Sequence, residues 1–328
     1  MRLALVGCGR VGQLRARHLA QAQLVHCVDL DPARAQQLAA ASGCESGVEW
    51  RPVLQRSDID AVVIATTPDV QAEIAREAIL CGKHALLEKP AARSAAELRE
   101  LPQLAAARGV RVRVGFNHRY HPAFRKAREL VDAGELGELM YVRARYGHGG
   151  RSGYEGEWRA QPQRSGGGEL IDQGVHLIDL ARWFLGEFTE VAGFAHTYFW
   201  DMPVEDNGFM LLKTATHRAA FLHASSTEWK NLFSWELFGR RGKLQIEGLG
   251  GSYGPERLTW YKMLPQMGPP HTTSWEYPMD DDSWSVEMGE FLEDIRLGRE
   301  PAAGLSAAIA ALEVVAEICA ASGYDHRA

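Results

Sequence analysis

The chain is poor in several features that would give it away at once. Its 328 residues include only five cysteines, Cys8, Cys27, Cys44, Cys81 and Cys319. The number is odd, the spacing is wide and no C-x-x-C pair occurs, which argues against a disulfide framework or a zinc knuckle and for a reducing compartment. No apolar stretch reaches the roughly 18 residues needed to span a bilayer, so no membrane partner is expected. Repeats and low-complexity segments are missing too. Positive charge is not in excess: 36 basic residues stand against 42 acidic ones, a net charge of −6. A nucleic-acid binder would normally carry a basic patch, and the local cluster Arg108, Arg111 and Arg113 reads equally well as a helix end and a strand edge. The opening run Met1–Val6 is too short for the apolar core of a signal peptide, so a cytoplasmic location is expected. What remains is ordinary globular composition, 46% hydrophobic and 24% charged, in a chain long enough for two domains.

The first part of the chain alternates strand and helix. Apolar runs at Leu3–Val6, Leu24–Asp29, Ala61–Ala65, His84–Leu87 and Val110–Gly115 read as strands. Between them, helices are expected at about 11–20, 32–41, 70–81 and 94–108. Asp31 is placed as an N-cap with Pro32 at the first helical position. This alternation predicts an α/β domain with a doubly wound parallel sheet over residues 1–118. Beyond that the rhythm changes. A helix at 122–133, a strand at 139–146, a Gly-rich loop of about twenty residues and a helix at 170–185 lead into strand-like runs at 191–199, 208–214, 219–227, 234–238 and 243–247. Consecutive strands of this kind predict an α+β domain over 119–328 built on an open, mainly antiparallel sheet. Residues 248–278 read as loop with one strand near 258–262, and helices at 285–297 and 306–321 close the chain and are candidates to pack back on the first domain.

Gly7-Cys8-Gly9-Arg10-Val11-Gly12 has the G-x-G-x-x-G spacing. The pattern alone is weak, but here it follows a strand and opens a helix, which is the context a dinucleotide site requires. Gly7 permits the tight turn, Gly9 lets the backbone approach a pyrophosphate, and Gly12 lets helix and strand pack closely. The amides of Arg10 and Val11 would then face phosphate charge. The bland alternative is an ordinary glycine turn. Asp29, about twenty residues on, can accept hydrogen bonds from both adenosine ribose hydroxyls and would repel a 2′-phosphate, which favours NAD over NADP. Asp31 competes for that role but looks like a helix cap. Arg10 and Arg34 are alternative receivers of a 2′-phosphate.

Glu88-Lys89-Pro90 follows a strand whose carboxyl end should border the ligand crevice. A lysine there can donate a charge-assisted hydrogen bond to a substrate oxygen and stabilise a developing alkoxide; it can equally be a surface lysine in a turn. Farther on, Asp172 and His176 lie four apart and would share one helix face beside apolar Ile171, Val175 and Ile178. Alcohol oxidation needs a base for the hydroxyl proton, and a histidine oriented by a carboxylate supplies one near neutral pH. The pair can also be read as a surface ion pair, as an early-helix charge on the macrodipole, or as two legs of a metal site. No third ligand presents itself for the last, so no metal is expected.

These motifs, together with Ala65-Thr66-Thr67-Pro68, Gly82–Pro90, Gly115-Phe116-Asn117-His118-Arg119-Tyr120 and Gly166–Asp179, make the chain similar to the glucose–fructose oxidoreductase/inositol dehydrogenase (Gfo/Idh/MocA) family over nearly its whole length. The resemblance implies an N-terminal Rossmann domain and a C-terminal domain whose open sheet serves as a subunit interface, hence a homodimer or homotetramer. It implies NAD-dependent hydride exchange with a ring hydroxyl of a small polyhydroxylated substrate: a sugar, a cyclitol or a nucleotide-linked sugar. It implies Lys89, Asp172 and His176 as the catalytic set, with Lys89 or His176 carrying the proton, and a cis Lys89–Pro90 peptide. Thr66, Thr67 and Pro68 would lie near the nicotinamide, and Glu88, with Lys89, near its ribose. Asn117 and Arg119 would stand beside the substrate, while His118 could equally be packing. The family often has histidine where this chain has Gln71, which cannot change charge. The segment Ser225–Phe233 and the loop Gly248–Gly254 are not general family features. Within the former, Trp229 could stack on a sugar face and Lys230 could meet an anion, against the alternative of interface or core packing. Trp158, Trp260, Tyr261, Trp275 and Trp284 stay unassigned. A non-catalytic NAD sensor on the same scaffold is the alternative of a different class.

Overall fold

A computed structural model describes residues 1–324 of the chain. It resolves into two compact units, Met1–Phe116 with Trp284–Leu312, and Asn117–Ser283 with the chain from Glu313. The first opens with β1 (Arg2–Val6), α1 (Arg10–Arg17), β2 (Gln23–Val28), α2 (Pro32–Ser42), β3 (Glu45–Gly47) and α3 (Trp50–Leu54). It continues with β4 (Ala61–Ile64), α4 (Pro68–Leu80), β5 (His84–Leu87), α5 (Ala95–Leu98), α6 (Leu101–Arg108) and β6 (Val112–Val114). The six strands are all parallel, in the order β3-β2-β1-β4-β5-β6. This is the doubly wound sheet expected from the alternation. Leu3, Ala4 and Leu5 of β1 and Ala61 to Ile64 of β4 are buried throughout, because a strand covered on both faces has no solvent side for polar residues. Met288 and Phe291, from the helix Ser283–Leu297, join the core formed by Leu3, Leu5, Cys27, Val63 and Leu86. Strand order reverses between β1 and β4, which opens a crevice at their carboxyl ends.

Local chemistry explains both the agreements and the misses. Asp31 caps α2 by accepting hydrogen bonds from the amides of Ala33 (2.9 Å) and Arg34 (3.4 Å), with Pro32 leading the helix. The single helix expected over 94–108 is instead α5 followed by α6. Pro102 has no amide hydrogen and its ring crowds the carbonyl four residues back, so one continuous helix cannot pass through it. β3 and α3 were not anticipated; Glu45-Ser46-Gly47 is mostly exposed and carries no apolar signal.

The second unit contains α7 (Pro122–Asp132), β7 (Leu139–Gly147), α8 (Pro162–Ser165), α9 (Val175–Leu185), β8 (Phe188–His196), β9 (Asn207–Thr214), β10 (Ala219–Ser225), β11 (Leu232–Gly239), β12 (Gly242–Glu247), β13 (Glu256–Lys262) and β14 (His271–Tyr277). After these come α10 (Ser283–Leu297) and α11 (Leu305–Ala321), most of α10 counting with the first unit. The eight strands run β14-β13-β12-β11-β7-β10-β9-β8, antiparallel except for β7 with β10. Residues alternate in and out along each strand: Phe233, Trp235 and Leu237 of β11 are buried while their neighbours are half-exposed. α9 packs on β7 and β10, and Phe124 of α7 meets the rings of Phe233 and Trp235 edge-on at 5.8 and 5.6 Å. On the opposite face of the sheet Phe194, Leu211 and Phe221 are about half exposed.

Two expectations for this unit are corrected. The stretch read as loop with one strand holds two, β13 and β14, paired antiparallel. His271–Tyr277 is an edge strand with a polar, partly exposed alternation, so it lacks the apolar run that marks a buried strand. The helix expected over 170–185 begins as a π-helical turn, Leu170–Gly174, before α9 takes over. Such turns are frequent at functional positions. Among the described residues no helix is long and apolar enough to cross a membrane.

Candidate functional site

In the first unit the glycine turn has the form a diphosphate requires. Gly7 has φ +97°, and a Cβ there would lie 2.5 Å from the Ala65 carbonyl oxygen; at Gly12 it would lie 1.9 Å from the Gly7 carbonyl oxygen. Both positions therefore exclude any side chain. Gly9 differs: a Cβ would meet nothing within 4 Å, so the protein itself gives no reason for glycine there, whereas an approaching phosphate does. Gly9 is the N-cap of α1, and no side chain caps that helix end and no acidic residue sits in its first turn. Arg10 is exposed and Val11 half-buried at this end. These residues fit a dinucleotide.

Asp29 lies at the carboxyl end of β2. Its Oδ2 accepts the Cys8 amide at 2.7 Å and its Oδ1 the Asp31 amide at 2.9 Å, which fixes the carboxylate beside the turn. Arg34, the alternative receiver of a 2′-phosphate, is paired with Asp31 at 3.3 Å. At the end of β4, Thr66 and Thr67 are half-buried and Pro68 starts α4. Gln71, the departure from the family pattern, is buried and donates from Nε2 to the Thr66 carbonyl at 2.8 Å. Its visible role is to hold this loop.

At the end of β5, Lys89 is half-buried and the Lys89–Pro90 peptide is cis. Glu88 turns inward, and its Oε1 accepts from Arg15 Nε at 2.5 Å. Arg15 is fully buried on α1, lies under the Trp284 ring at 4.4 Å and reaches Glu287 Oε2 at 2.6 Å. Burial pushes the Glu287 carboxyl up, with Arg15 opposing. The structure thus shows the Glu88 carboxylate committed to Arg15. Neither Arg15 nor Glu287 was singled out in the sequence, where an arginine on an otherwise polar helix looks like a solvated residue.

In the second unit the π-helical turn is anchored from several sides. The buried carboxylate of Glu205 accepts the amides of Gly168 (3.0 Å) and Leu170 (3.1 Å). Asp172 is half-buried, and its Oδ2 accepts from Arg159 Nε at 3.0 Å. Burial opposes the charge on Arg159, but Asp172 and Glu157 outweigh it and the guanidinium is held more firmly protonated than usual. Tyr154 donates to Glu169 Oε1 at 2.7 Å, and burial followed by the Glu169 charge pushes its phenol up. Burial would lower His148, but Glu169, 3.4 Å from its Nε2, outweighs that and raises it. His176 is 4% exposed at the start of α9, its ring stacked on His118 with centroids 3.8 Å apart at 11°. Arg159, Tyr154, His148 and Glu205 were all missed. The only signal for the first three was that they lie in or beside the Gly-rich loop flagged as too long to be idle.

The remaining candidates have definite places. Asn117 is buried and donates to Ser283 Oγ at 3.0 Å. Arg119 is buried in a two-pronged pair with Asp179, at 2.7 and 2.6 Å. Trp229 is 62% exposed with φ +57°, its ring edge-on to Phe199 at 4.7 Å; core packing is therefore not its role. Lys230 is exposed beside it. Among the described residues no group of three or more His, Cys, Asp or Glu is placed to hold a metal.

Comparison with known proteins matches residues 1–116 to the oxidoreductase family with an NAD-binding Rossmann fold, and residues 124–245 to the GFO/IDH/MocA C-terminal domain. An inositol 2-dehydrogenase of Rhizobium meliloti is 27% identical over 343 residues, 97% of each chain. A levoglucosan dehydrogenase of Pseudarthrobacter phenanthrenivorans is 31% identical over 189 residues, 57% of this chain, and the match spans about half of that relative, 48% of its length. The solved structure of a levoglucosan dehydrogenase in complex with NADH and levoglucosan shares the fold, with a TM-score of 0.87 and 23% identity over 98% of this chain and 97% of that one. Solved structures of this fold are named both with NADH and as NADPH-dependent.

Proposed function

The chain belongs to the GFO/IDH/MocA family of NAD-binding oxidoreductases, and from that premise we propose that it exchanges a hydride between NAD and a secondary alcohol of a small polyhydroxylated ring. In this reading Gly7, Gly9, Arg10, Val11 and Gly12 present the turn and the open end of α1 to the diphosphate. Asp29 takes the adenosine ribose hydroxyls, and its fixed negative charge disfavours a 2′-phosphate, so NAD is preferred to NADP. Thr66, Thr67 and Pro68 border the nicotinamide, and Glu88, paired with Arg15, lies with Lys89 near its ribose. When bound, the nicotinamide supplies the hydride acceptor or donor.

Lys89, Asp172 and His176 serve one reaction. His176 takes the hydroxyl proton during oxidation and returns it during reduction. Asp172, paired with Arg159, favours the imidazolium that forms. Lys89 donates to the reacting oxygen and stabilises charge developing on it. Asn117, Arg119 and Trp229 are proposed to border the substrate, Arg119 by shaping the wall through Asp179 rather than by offering its own charge. The observation that carries the proposal is the Asp172 carboxylate held by Arg159 at 3.0 Å, four residues before a buried histidine. The relatives named inositol 2-dehydrogenase and levoglucosan dehydrogenase suggest a cyclitol or a sugar as substrate. The half-exposed apolar face at Phe194, Leu211 and Phe221 suits a homodimer or homotetramer, and the proposed location is the cytoplasm.

The test is a panel of cyclitols, sugars and nucleotide sugars read by NADH absorbance, followed by Lys89→Ala and His176→Ala on the best substrate. Each variant is expected to lower kcat by about two orders of magnitude or more, with NADH binding retained in His176→Ala. Near-normal turnover in either variant would remove that residue from the mechanism.

A further inference from the structure

The 3-10 turn Asn117–Tyr120 is fastened at two points. Asn117 donates to Ser283, and Arg119 grips Asp179, three residues beyond His176 on α9. Between these anchors His118 lays its ring flat on that of His176, with centroids 3.8 Å apart and planes within 11°. Both rings are almost wholly buried, at 5% and 4% exposure. Tyr146 of β7 meets them edge-on at 5.1 and 6.2 Å, and Phe233 of β11 meets His118 at 6.0 Å. His121 closes the far side at 5.7 Å, its Nδ1 3.0 Å from Glu256 and its Nε2 3.8 Å from Asp281. Titratable or charged groups near the stack include the Arg119–Asp179 pair, Tyr253, 5.0 Å from Tyr146, and Asp172 and Glu169, whose charges both act on Tyr146.

Packing alone would be met by any flat apolar ring; a second imidazole adds a second titratable site. Two cations at this separation, largely removed from water, repel strongly, whereas one cation on the face of a neutral ring is attracted. We propose that His118 is a positioning residue for His176, and that the stacked pair shares a single proton, so that protonation of either ring opposes protonation of the other. This rests on the reading of His176 as the proton carrier. The pair then titrates as a unit. Where one proton is present on either ring, the pair resists a second, so the substrate's proton is accepted only by the fully neutral pair.

The test uses the full chain with 13C-labelled histidine, its imidazole resonances followed from about pH 5 to 9. The expected result is that His118 and His176 titrate together, each resonance showing two inflections. In His118→Phe, which keeps a flat ring, the His176 resonance shows one inflection, at a midpoint higher by about half a unit or more. Independent single inflections in the unmodified protein, or an unmoved His176 midpoint in His118→Phe, overturn the proposal; His118→Asn provides the same reading should the phenylalanine variant not fold. The two failures are separable. A fully active His176→Ala variant removes the proton-carrier reading whatever the titration shows, while uncoupled titration alongside an inactive His176→Ala removes only the shared proton.

Discussion

The turn between β1 and α1 and the π-helical turn before α9 reach their geometry by opposite routes. At the first, side chains are left out: Gly7 and Gly12 have no room for a Cβ, and Gly9 has room that the protein does not use. At the second, side chains are brought in from far along the chain. Glu205 holds the backbone amides, Arg159 holds Asp172, Tyr154 and His148 hold Glu169, and His118 covers His176. A site made by omission is rigid through backbone packing and needs no partner. A site made by addition depends on a network, and loss of one member leaves another charge in a poorly hydrated place.

That contrast can be broken most sharply at the glycines. Gly12→Val forces a side chain onto the Gly7 carbonyl, so NADH binding should fall by more than about 100-fold and thermal stability should drop as for an overpacked core, by about 1–3 kcal/mol. Gly9→Ala should behave differently. With nothing within 4 Å, its melting temperature should stay near that of the unmodified protein while NADH affinity falls about tenfold or more, roughly 1.4 kcal/mol. Fluorescence titration with NADH and a thermal melt separate the two; equal loss of stability in both would show that Gly9 serves the fold.

The network is probed less drastically. Arg159→Ala removes the partner of Asp172, and turnover is expected to fall about tenfold, roughly 1.4 kcal/mol of barrier, with partial recovery in Arg159→Lys. Unchanged kinetics would mean that Asp172 is oriented by other groups. The smallest effect is expected at His148. Glu169 raises its proton affinity above the ordinary value, so the pair stabilises the fold fully below about pH 6.5, and that contribution is lost as pH rises through the higher folded value. The melting-temperature difference between the unmodified protein and His148→Gln should therefore be larger at about pH 5.5 than at about pH 9, corresponding to about 1 kcal/mol or less. A difference that grows toward alkaline pH would contradict the assignment.

How much was legible follows the same division. The alternation of apolar runs and helices announced the parallel sheet, and Asp31-Pro32 announced the start of α2. The polar edge strand β14 and the break at Pro102 were lost, the first because solvent-facing strands carry no apolar run. Asp172 and His176 could be nominated by spacing, and Trp229 could be noticed but not placed. Arg15 and Arg159 looked like any surface arginine until their carboxylate partners, 73 and 13 residues away, were seen beside them.

The sequence by itself determined the order of the apolar strands and the principal helices, the glycine turn and the carboxylate that follows it, because hydrophobic periodicity and the steric demands of glycine act over a few neighbouring residues. Only the tertiary structure decided which charges are paired, that the helix carrying His176 opens with a π-helical turn, and that a second histidine lies flat on the first. Those are contacts between segments far apart in the chain, and their energies depend on burial that no local pattern records.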